Sequence, residues 1–321
     1  MKIFTSPDIT DNTAATAPCV ATIGFFDGVH RGHKFLIGNV IDAAARSGLR
    51  SMVITFDSHP RLVLHKDYRP RLLTTAGEKA ARLRATGVDY VAMLHFDEAM
   101  ARLSAYDFMK DVLRDRLNVR TLVTGYDNRF GHNRSEGFDD YVAYGRELGI
   151  EVVRAEAFTL NGVQVSSSVI RSFLAGGEAE MAAMCLGYGY ALGGTVVSGR
   201  HEGRKMGFPT ANIEPDDRLK LVPESGVYAV RVRLEGAGGP MDGMMNIGTR
   251  PTFDGDATTL EVNIFGFSGD IYGRKICVEF VSRLRKERKF ASAARLAEQL
   301  RLDRDEAVRR LAGAKGRQQG A

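Results

Sequence analysis

The stretch Ala21-Thr22-Ile23-Gly24-Phe25-Phe26-Asp27-Gly28-Val29-His30-Arg31-Gly32-His33 passes from a short apolar run, through a glycine-rich turn, into a helical pattern over 34–47. Strand, loop and helix in that order form the repeating unit of a parallel sheet. The unit recurs: apolar runs at 51–56, 90–94 and 121–124 are bounded by Gly, Asp or Pro, and helical patterns near 76–85, 105–116 and 139–148 lie between them. Such alternation predicts a Rossmann-like, doubly wound α/β fold with helices on both faces of the sheet. Ligands of such sheets sit beyond the carboxyl ends of the strands, which is where the quoted loop falls.

A different pattern follows. Residues 167–186 read as helical with an interruption at Gly176-Gly177, and strand-like runs then appear at 194–197, 227–233, 241–247, 260–265 and 275–283, separated by Gly, Pro and Asp. Many strands with little helix between them predict an antiparallel β-barrel or a sandwich. Helix returns only at the end, where Leu296 and Leu300 are four apart and Val308 and Leu311 three apart. A chain of 321 residues exceeds one ordinary core. We therefore expect two domains, 1–185 and 186–321.

Composition narrows the function classes. Hydrophobic residues make up 44% of the chain, yet no run approaches the ~18 apolar residues of a membrane span. Met1-Lys2-Ile3-Phe4 leads to Pro7 and Asp8 rather than to an apolar targeting segment, so a cytoplasmic protein without a membrane partner is expected. Cys19, Cys185 and Cys277 are odd in number and far apart, which suggests neither a disulfide framework nor a zinc site. The net charge of +5 is local: residues 281–321 hold 12 Lys/Arg against 5 Asp/Glu, and the remainder is close to neutral. Because that tail lacks interleaved aromatics, it reads as a solvated helical face, and no nucleic-acid partner is expected. A monomer or weak homo-oligomer is expected.

His30 and His33 stand three apart where the first helix begins, so both rings lie over its first turn. Amides there have no helical partner and the helix dipole is positive, which favours phosphate oxygens. Gly24, Gly28 and Gly32 allow close main-chain approach. The arrangement suits a nucleoside triphosphate; a metal-binding His pair and two structurally packed histidines are the alternatives. Ser167 and Ser168 precede Arg171 by about one turn, so they form either a helix cap or a second set of phosphate contacts.

The second glycine-rich segment, 199–212, contains Gly203-Arg204-Lys205-Met206-Gly207-Phe208-Pro209-Thr210-Ala211-Asn212. It is not a P-loop, because no Gly-Lys-Ser/Thr ends it. Gly199, Gly203 and Gly207 can still expose amides to phosphates. Thr210 and Asn212 share a face in extended chain and offer Mg2+ one hydroxyl and one amide oxygen. An ordinary hairpin is the competing reading.

Taken together, these motifs resemble those of prokaryotic bifunctional riboflavin kinase/FAD synthetases. Residues 24–33 resemble the HxGH signature of the nucleotidylyltransferase superfamily, and 55–60, 125–131 and 165–171 fit the same family in register. The 203–212 segment resembles the flavokinase signature, accompanied in order by 225–228, 246–253, 260–264, 270–273 and 284–290. The resemblance implies ATP-dependent phosphorylation of riboflavin to FMN, then adenylylation of FMN to FAD with release of pyrophosphate. ATP, riboflavin and FMN are the implied small-molecule partners, with Mg2+ accompanying ATP.

The resemblance also assigns roles. Glu261 is the implied catalytic base, Thr210 and Asn212 the magnesium pair, and His30, His33 and Arg171 the adenylyl-transfer residues. Nucleotide contacts are implied for Gly24, Phe25, Asp27, Gly28, Gly32, Ser167, Ser168, Gly199, Gly203, Arg204 and Gly207, and flavin contacts for Asp127, Phe130, Arg285 and Glu287. The chain carries Phe25, Ser58, Asn128 and Ser168 where the family usually has Asn, Pro, Phe and Thr, and Asn263 where it often has His. Loss of the amide at 25 and of the aromatic at 128 implies altered nucleotide or flavin affinity. A kinase joined to a weak or altered adenylyltransferase is the alternative reading.

Overall fold

The computed structural model describes residues 1–5, 16–64, 67, 69–126, 128–199, 207–252 and 255–318, with backbone alone at 250–252, 255–257 and 315–318. They fall into two compact units, Met1–Ser167 and Ser168–Ala321.

The first unit contains a six-stranded parallel sheet in the order β1-β4-β3-β2-β5-β6. Its strands are β1 (Lys2–Thr5), β2 (Cys19–Ile23), β3 (Arg50–Phe56), β4 (Tyr90–Leu94), β5 (Val119–Thr124) and β6 (Glu151–Arg154). The apolar runs identify the four inner strands. Strands β1 and β6 are short, mostly exposed edges, so they carry no such run. Helices α1 (Arg31–Ser47), α2 (Pro60–Leu64), α3 (Ala76–Arg84), α4 (Glu98–Arg102), α5 (Ala105–Asp107, continuing as a π-helical turn over Phe108–Arg114) and α6 (Phe138–Leu148) lie between strands. Side-chain alternation along β3 divides the core: Met52 and Ile54 pack with Phe108, Leu113 and Tyr141, while Val53 packs with Ile37 and Leu83 on the other face.

The chain adds strands outward from β2 to β4 and then returns to place β5 on the far side of β2. The carboxyl ends of β2 and β5 therefore flank the switch point where such sheets bind ligands. Asn128 closes it from one side, its Nδ2 donating to the Ile23 carbonyl at 2.6 Å. A small hairpin, β7 (Thr159–Leu160) with β8 (Val163–Gln164), leads to α7 (Ser167–Ala175).

In the second unit, α7 and α8 (Ala179–Leu186) precede a closed antiparallel barrel in the order β10-β13-β12-β11-β14-β9. Its strands are β9 (Ala191–Val197), β10 (Ala211–Pro215), β11 (Gly226–Leu234), β12 (Met241–Thr252), β13 (Gly255–Ile264) and β14 (Lys275–Arg285). The helical turn between α7 and α8 is joined to the barrel: the Leu174 carbonyl accepts from the Glu224 amide at 3.0 Å, and Arg283 Nη1 donates to the Gly176 carbonyl at 3.2 Å.

Helix α9 (Ala293–Gln318) covers the barrel's outside, where Ala307 and Leu311 pack with Ala229, Met244 and Phe208. That cover explains why β11 is buried along nearly its whole length. Arg285 of β14 fixes the helix by a bidentate bond to Asp303, with Nη2 to Oδ2 at 2.8 Å and Nε to both oxygens at 3.0 Å. Asp303 is only 3% exposed, so its charge depends on this partner. Arg285→Ala is expected to lower stability by about 3 kcal/mol in denaturant unfolding; a loss below about 1 kcal/mol would show that water replaces the arginine.

Candidate active sites

The loop after β2 turns sharply: Phe26, Gly28 and Val29 have φ of 53°, 85° and 36°. Positive φ is costly for Phe and especially for β-branched Val, so the surroundings must enforce it. Both side chains lie in the core beside Ile37 and Leu83. Asp27 supplies the remaining constraint, its carboxylate accepting from the Leu73 and Thr74 amides at 2.9–3.0 Å and from Thr74 Oγ1 at 3.1 Å. Asp27 is thus 3% exposed and turned into the protein, where it holds the loop. The Gly28 amide donates to Thr74 Oγ1 at 3.0 Å, and Ser167 Oγ donates to the Asp27 carbonyl at 2.9 Å.

His30 caps α1: its Nδ1 accepts from the His33 amide at 3.2 Å. The neutral ring consequently carries its proton on Nε2. The two imidazoles stack with centroids 3.6 Å apart and planes within 18°, while Phe26 meets His33 edge-on. Gly32 permits this stack, since a Cβ there would lie 3.0 Å from the Val165 carbonyl and 3.2 Å from the His30 ring. No acidic residue occupies the first turn of α1. Lys34 is pushed below the usual lysine range by burial and by the neighbouring Arg82 and Arg31, so the helix start lies in a positive field.

Phe25 lies with its ring 4.0 Å from Lys79 Nζ and edge-on to His59 at 4.7 Å. Lys79, on α3, is 2% exposed and donates to the Phe56 carbonyl at 2.6 Å and the Phe25 carbonyl at 3.2 Å. Burial brings its pKa down to about 8, against the opposing pull of Asp27 and Asp57. Sequence reasoning passed over this lysine; its four-residue spacing from buried Leu83 was the available sign that it faces inward.

Phe130 is fixed in the wall near the switch point, stacked on Tyr141 at 4.2 Å with its amide donating to Tyr141 Oη at 2.9 Å. Asp127 lies outside the described residues, as do Gly203 and Arg204. Ser168 is exposed at the start of α7, and Arg171 follows Ser167 by one turn of that helix.

The barrel assembles a second group. Thr210 Oγ1 lies 3.4 Å from Glu261 Oε2, and Asn212 of β10 stands directly across from Glu261 of β13. On the other flank Asn246 of β12 is also in register with Glu261. The turn before β10 is anchored by Asn263, whose Nδ2 donates to the Pro209 carbonyl at 2.7 Å. Gly199 lies so close to Asn212 that a Cβ would collide with its side-chain amide. Gly207, with φ of 80°, makes the turn that precedes Pro209.

Glu287 also approaches this group, since a Cβ on Gly248 would meet Glu287 Oε1 at 2.6 Å and Asn246 Nδ2 at 3.2 Å. Arg285, two residues earlier, points to Asp303 instead. The barrel domain holds two cavities, the first at Thr210 and the second at Glu287. One of about 540 Å³ is lined by Val196, Thr210, Val262, Phe267, Ile271 and Tyr272; one of about 670 Å³ is lined by Gly176, Ser225, Thr249, Arg283, Glu287 and Lys289. Among the described residues no group of three or more His, Cys, Asp or Glu is placed to hold a metal ion. None of their helices is long and apolar enough to cross a membrane.

A phosphate-type loop on a doubly wound sheet, followed by a barrel with a hydroxyl, amide and carboxylate cluster, defines a two-domain nucleotide-dependent transferase. A family model described as FAD synthetase matches residues 12–169, and one described as riboflavin kinase matches 186–311. The chain is 39% identical over 285 residues to the bifunctional riboflavin kinase/FMN adenylyltransferase of Escherichia coli (strain K12), covering 89% of this chain and 90% of that one. It is 35% identical over 300 residues to the Bacillus subtilis (strain 168) protein of the same name, covering 91% and 92%. A solved Streptococcus pneumoniae structure described as a macrolide-efflux protein matches with a TM-score of 0.85 and 30% identity, over 95% of this chain and 98% of that one. The chain belongs to the bifunctional riboflavin kinase/FMN adenylyltransferase family.

Because Gly199 sets the position of Asn212, Gly199→Ala is expected to slow FMN formation by about a hundredfold, the usual cost of a small misplacement at a reacting centre. Steady-state assay of riboflavin phosphorylation checks this; an unchanged rate would remove Asn212 from the site.

Proposed function

We propose that the chain makes FMN from riboflavin and ATP within 186–321, then FAD from FMN and a second ATP within 1–185. The observation that carries the kinase assignment is the convergence of Thr210, Asn212 and Glu261 on neighbouring strands. Riboflavin's terminal ribityl hydroxyl is a weak nucleophile until its proton is removed, so the step needs a base. Glu261 takes that proton; the oxygen bonds to the γ-phosphorus, the bond to the bridging oxygen breaks, and ADP leaves. Thr210 and Asn212 offer Mg2+ a hydroxyl and an amide oxygen, a hard donor pair, and Glu261 keeps the role of base. That ion, when bound, neutralises charge on the transferring phosphates.

The amides of Gly199, Gly203 and Gly207, with Arg204, hold the ATP phosphates, and the apolar cavity beside Thr210 takes the base. The flavin extends toward Glu287, and Arg285 acts by fixing α9 through Asp303.

Adenylyl transfer requires no base, because the FMN phosphate is already ionised near neutral pH. Its oxygen attacks the α-phosphorus of ATP and pyrophosphate departs, so catalysis consists of positioning and charge neutralisation. His30 presents Nε2–H to the phosphates and His33 stands beside it. The Gly32 amide and Ser167 complete the anion site, to which the family resemblance adds Ser168 and Arg171, while Gly24 and Gly28, whose amides donate to the Ile54 carbonyl and to Thr74 Oγ1, shape the turn. Asp27 serves by holding the loop, and Phe25 by its ring against Lys79. Asp127 and Phe130 are the flavin contacts that the family resemblance assigns. The enzyme works in the cytoplasm as a monomer or weak homo-oligomer, without nucleic-acid partners.

Purified protein supplied with riboflavin, ATP and Mg2+ should yield both FMN and FAD by chromatography; FMN alone would instead establish a kinase with an altered adenylyltransferase. Glu261→Ala should abolish FMN formation while FAD still forms from supplied FMN, and His33→Ala should do the reverse. Loss of both activities in either variant would contradict the two-site assignment.

A further inference from the structure

The geometry around Lys79 points to a role in the adenylyl-transfer step. We propose that Lys79 is a positioning residue for ATP: its buried ammonium joins the carboxyl ends of β2 and β3 and lays positive charge beneath the phosphate loop. This inference rests on the adenylyltransferase reading of the first domain.

A buried ammonium ordinarily has a carboxylate partner, because the desolvation cost is large without one. Among the described residues no carboxylate lies within ion-pair distance of Lys79 Nζ. Its contacts are two carbonyl oxygens and the face of the Phe25 ring. Both carbonyls belong to residues at or just past strand ends, Phe56 closing β3 and Phe25 following β2. Thr55 Oγ1 adds a bond to the Phe25 carbonyl at 3.0 Å. One ammonium thus fixes the start of the turn that carries Asp27, Gly28 and His30, while its charge is only partly balanced.

The charged and titratable groups around it come from each neighbouring element. Asp27 follows β2, and Asp57 and His59 follow β3. Asp57 is itself bonded to His95, after β4, at 2.8 Å. On α3, Glu78 caps the Thr75 amide, and Arg82 is one turn from Lys79. Asp27 and Asp57 draw Lys79 toward the charged form, but burial outweighs them. A bound polyphosphate adds negative charge nearby and favours the ammonium further. By linkage, the proton then strengthens ATP binding, and the gain disappears once pH is high enough to neutralise the lysine in both states.

The test is the KM for ATP in FAD formation from FMN, for wild type and Lys79→Met, from about pH 6.5 to about pH 10. Methionine is unbranched and fills the channel without charge. Near neutral pH the variant's KM should be about tenfold above wild type, corresponding to a rise of about one pKa unit on binding. The ratio should fall toward one as pH rises past about 8, because the wild-type lysine then also becomes neutral. A purely structural lysine gives a ratio independent of pH, and that result, or a ratio of one throughout, overturns the proposal. Lys79→Gln, which keeps an N–H donor without charge, serves if the methionine variant does not fold and should show the same pH-dependent ratio. Absence of FAD formation by the wild type would refute the adenylyltransferase reading instead.

Discussion

The carbonyl groups at the carboxyl edge of a parallel sheet have no ladder partners, and in the first domain their satisfaction shapes the site. Lys79 bonds the carbonyls of Phe25 and Phe56, Thr55 adds to the former, and Asn128 bonds that of Ile23. These bonds allow the β2 loop to hold two non-glycine residues at positive φ without relaxing. Asp27 performs the complementary task for the amides of 73 and 74. The stacked histidines at the start of α1 follow from that loop, because His30 can cap the helix only from the position the turn gives it.

The barrel achieves its geometry by another route. Closure fixes the register of every strand, so Glu261 has Asn212 and Asn246 directly across from it on its two neighbours. A one-residue slip would turn Glu261 to the opposite face of the sheet, and the buried apolar residues alternating with it forbid that slip. The two candidate centres differ as the proposed reactions do. An alcohol needs a base within a confined cluster, whereas a phosphate that is already anionic needs a rigid, positive cradle.

Much of this was legible in the chain. The inner strands β2 to β5 announce themselves as apolar runs because both of their faces are covered, and the edge strands β1 and β6 do not because they are largely wet. The motifs at 24–33 and 203–212 drew attention to both candidate centres, and the partnership of Thr210 with Glu261 across 51 residues follows only from the barrel's register. Arg285 and Asp27 show the limit of motif reading. Each belongs to a matching segment, yet the fold directs the first to Asp303 and the second to the 73–74 backbone. Lys79 was hidden because lysine on a short amphipathic helix ordinarily reaches solvent, and nothing local states that strand-end carbonyls await it.

The account stands on two centres that act independently. Mixing Glu261→Ala with His33→Ala in the presence of riboflavin, ATP and Mg2+, and following both products over time, tests that most directly. The account predicts that FMN released by one variant is converted to FAD by the other after a lag. Failure of the mixture to form FAD, with each variant folded and active in its own half-reaction, would contradict it.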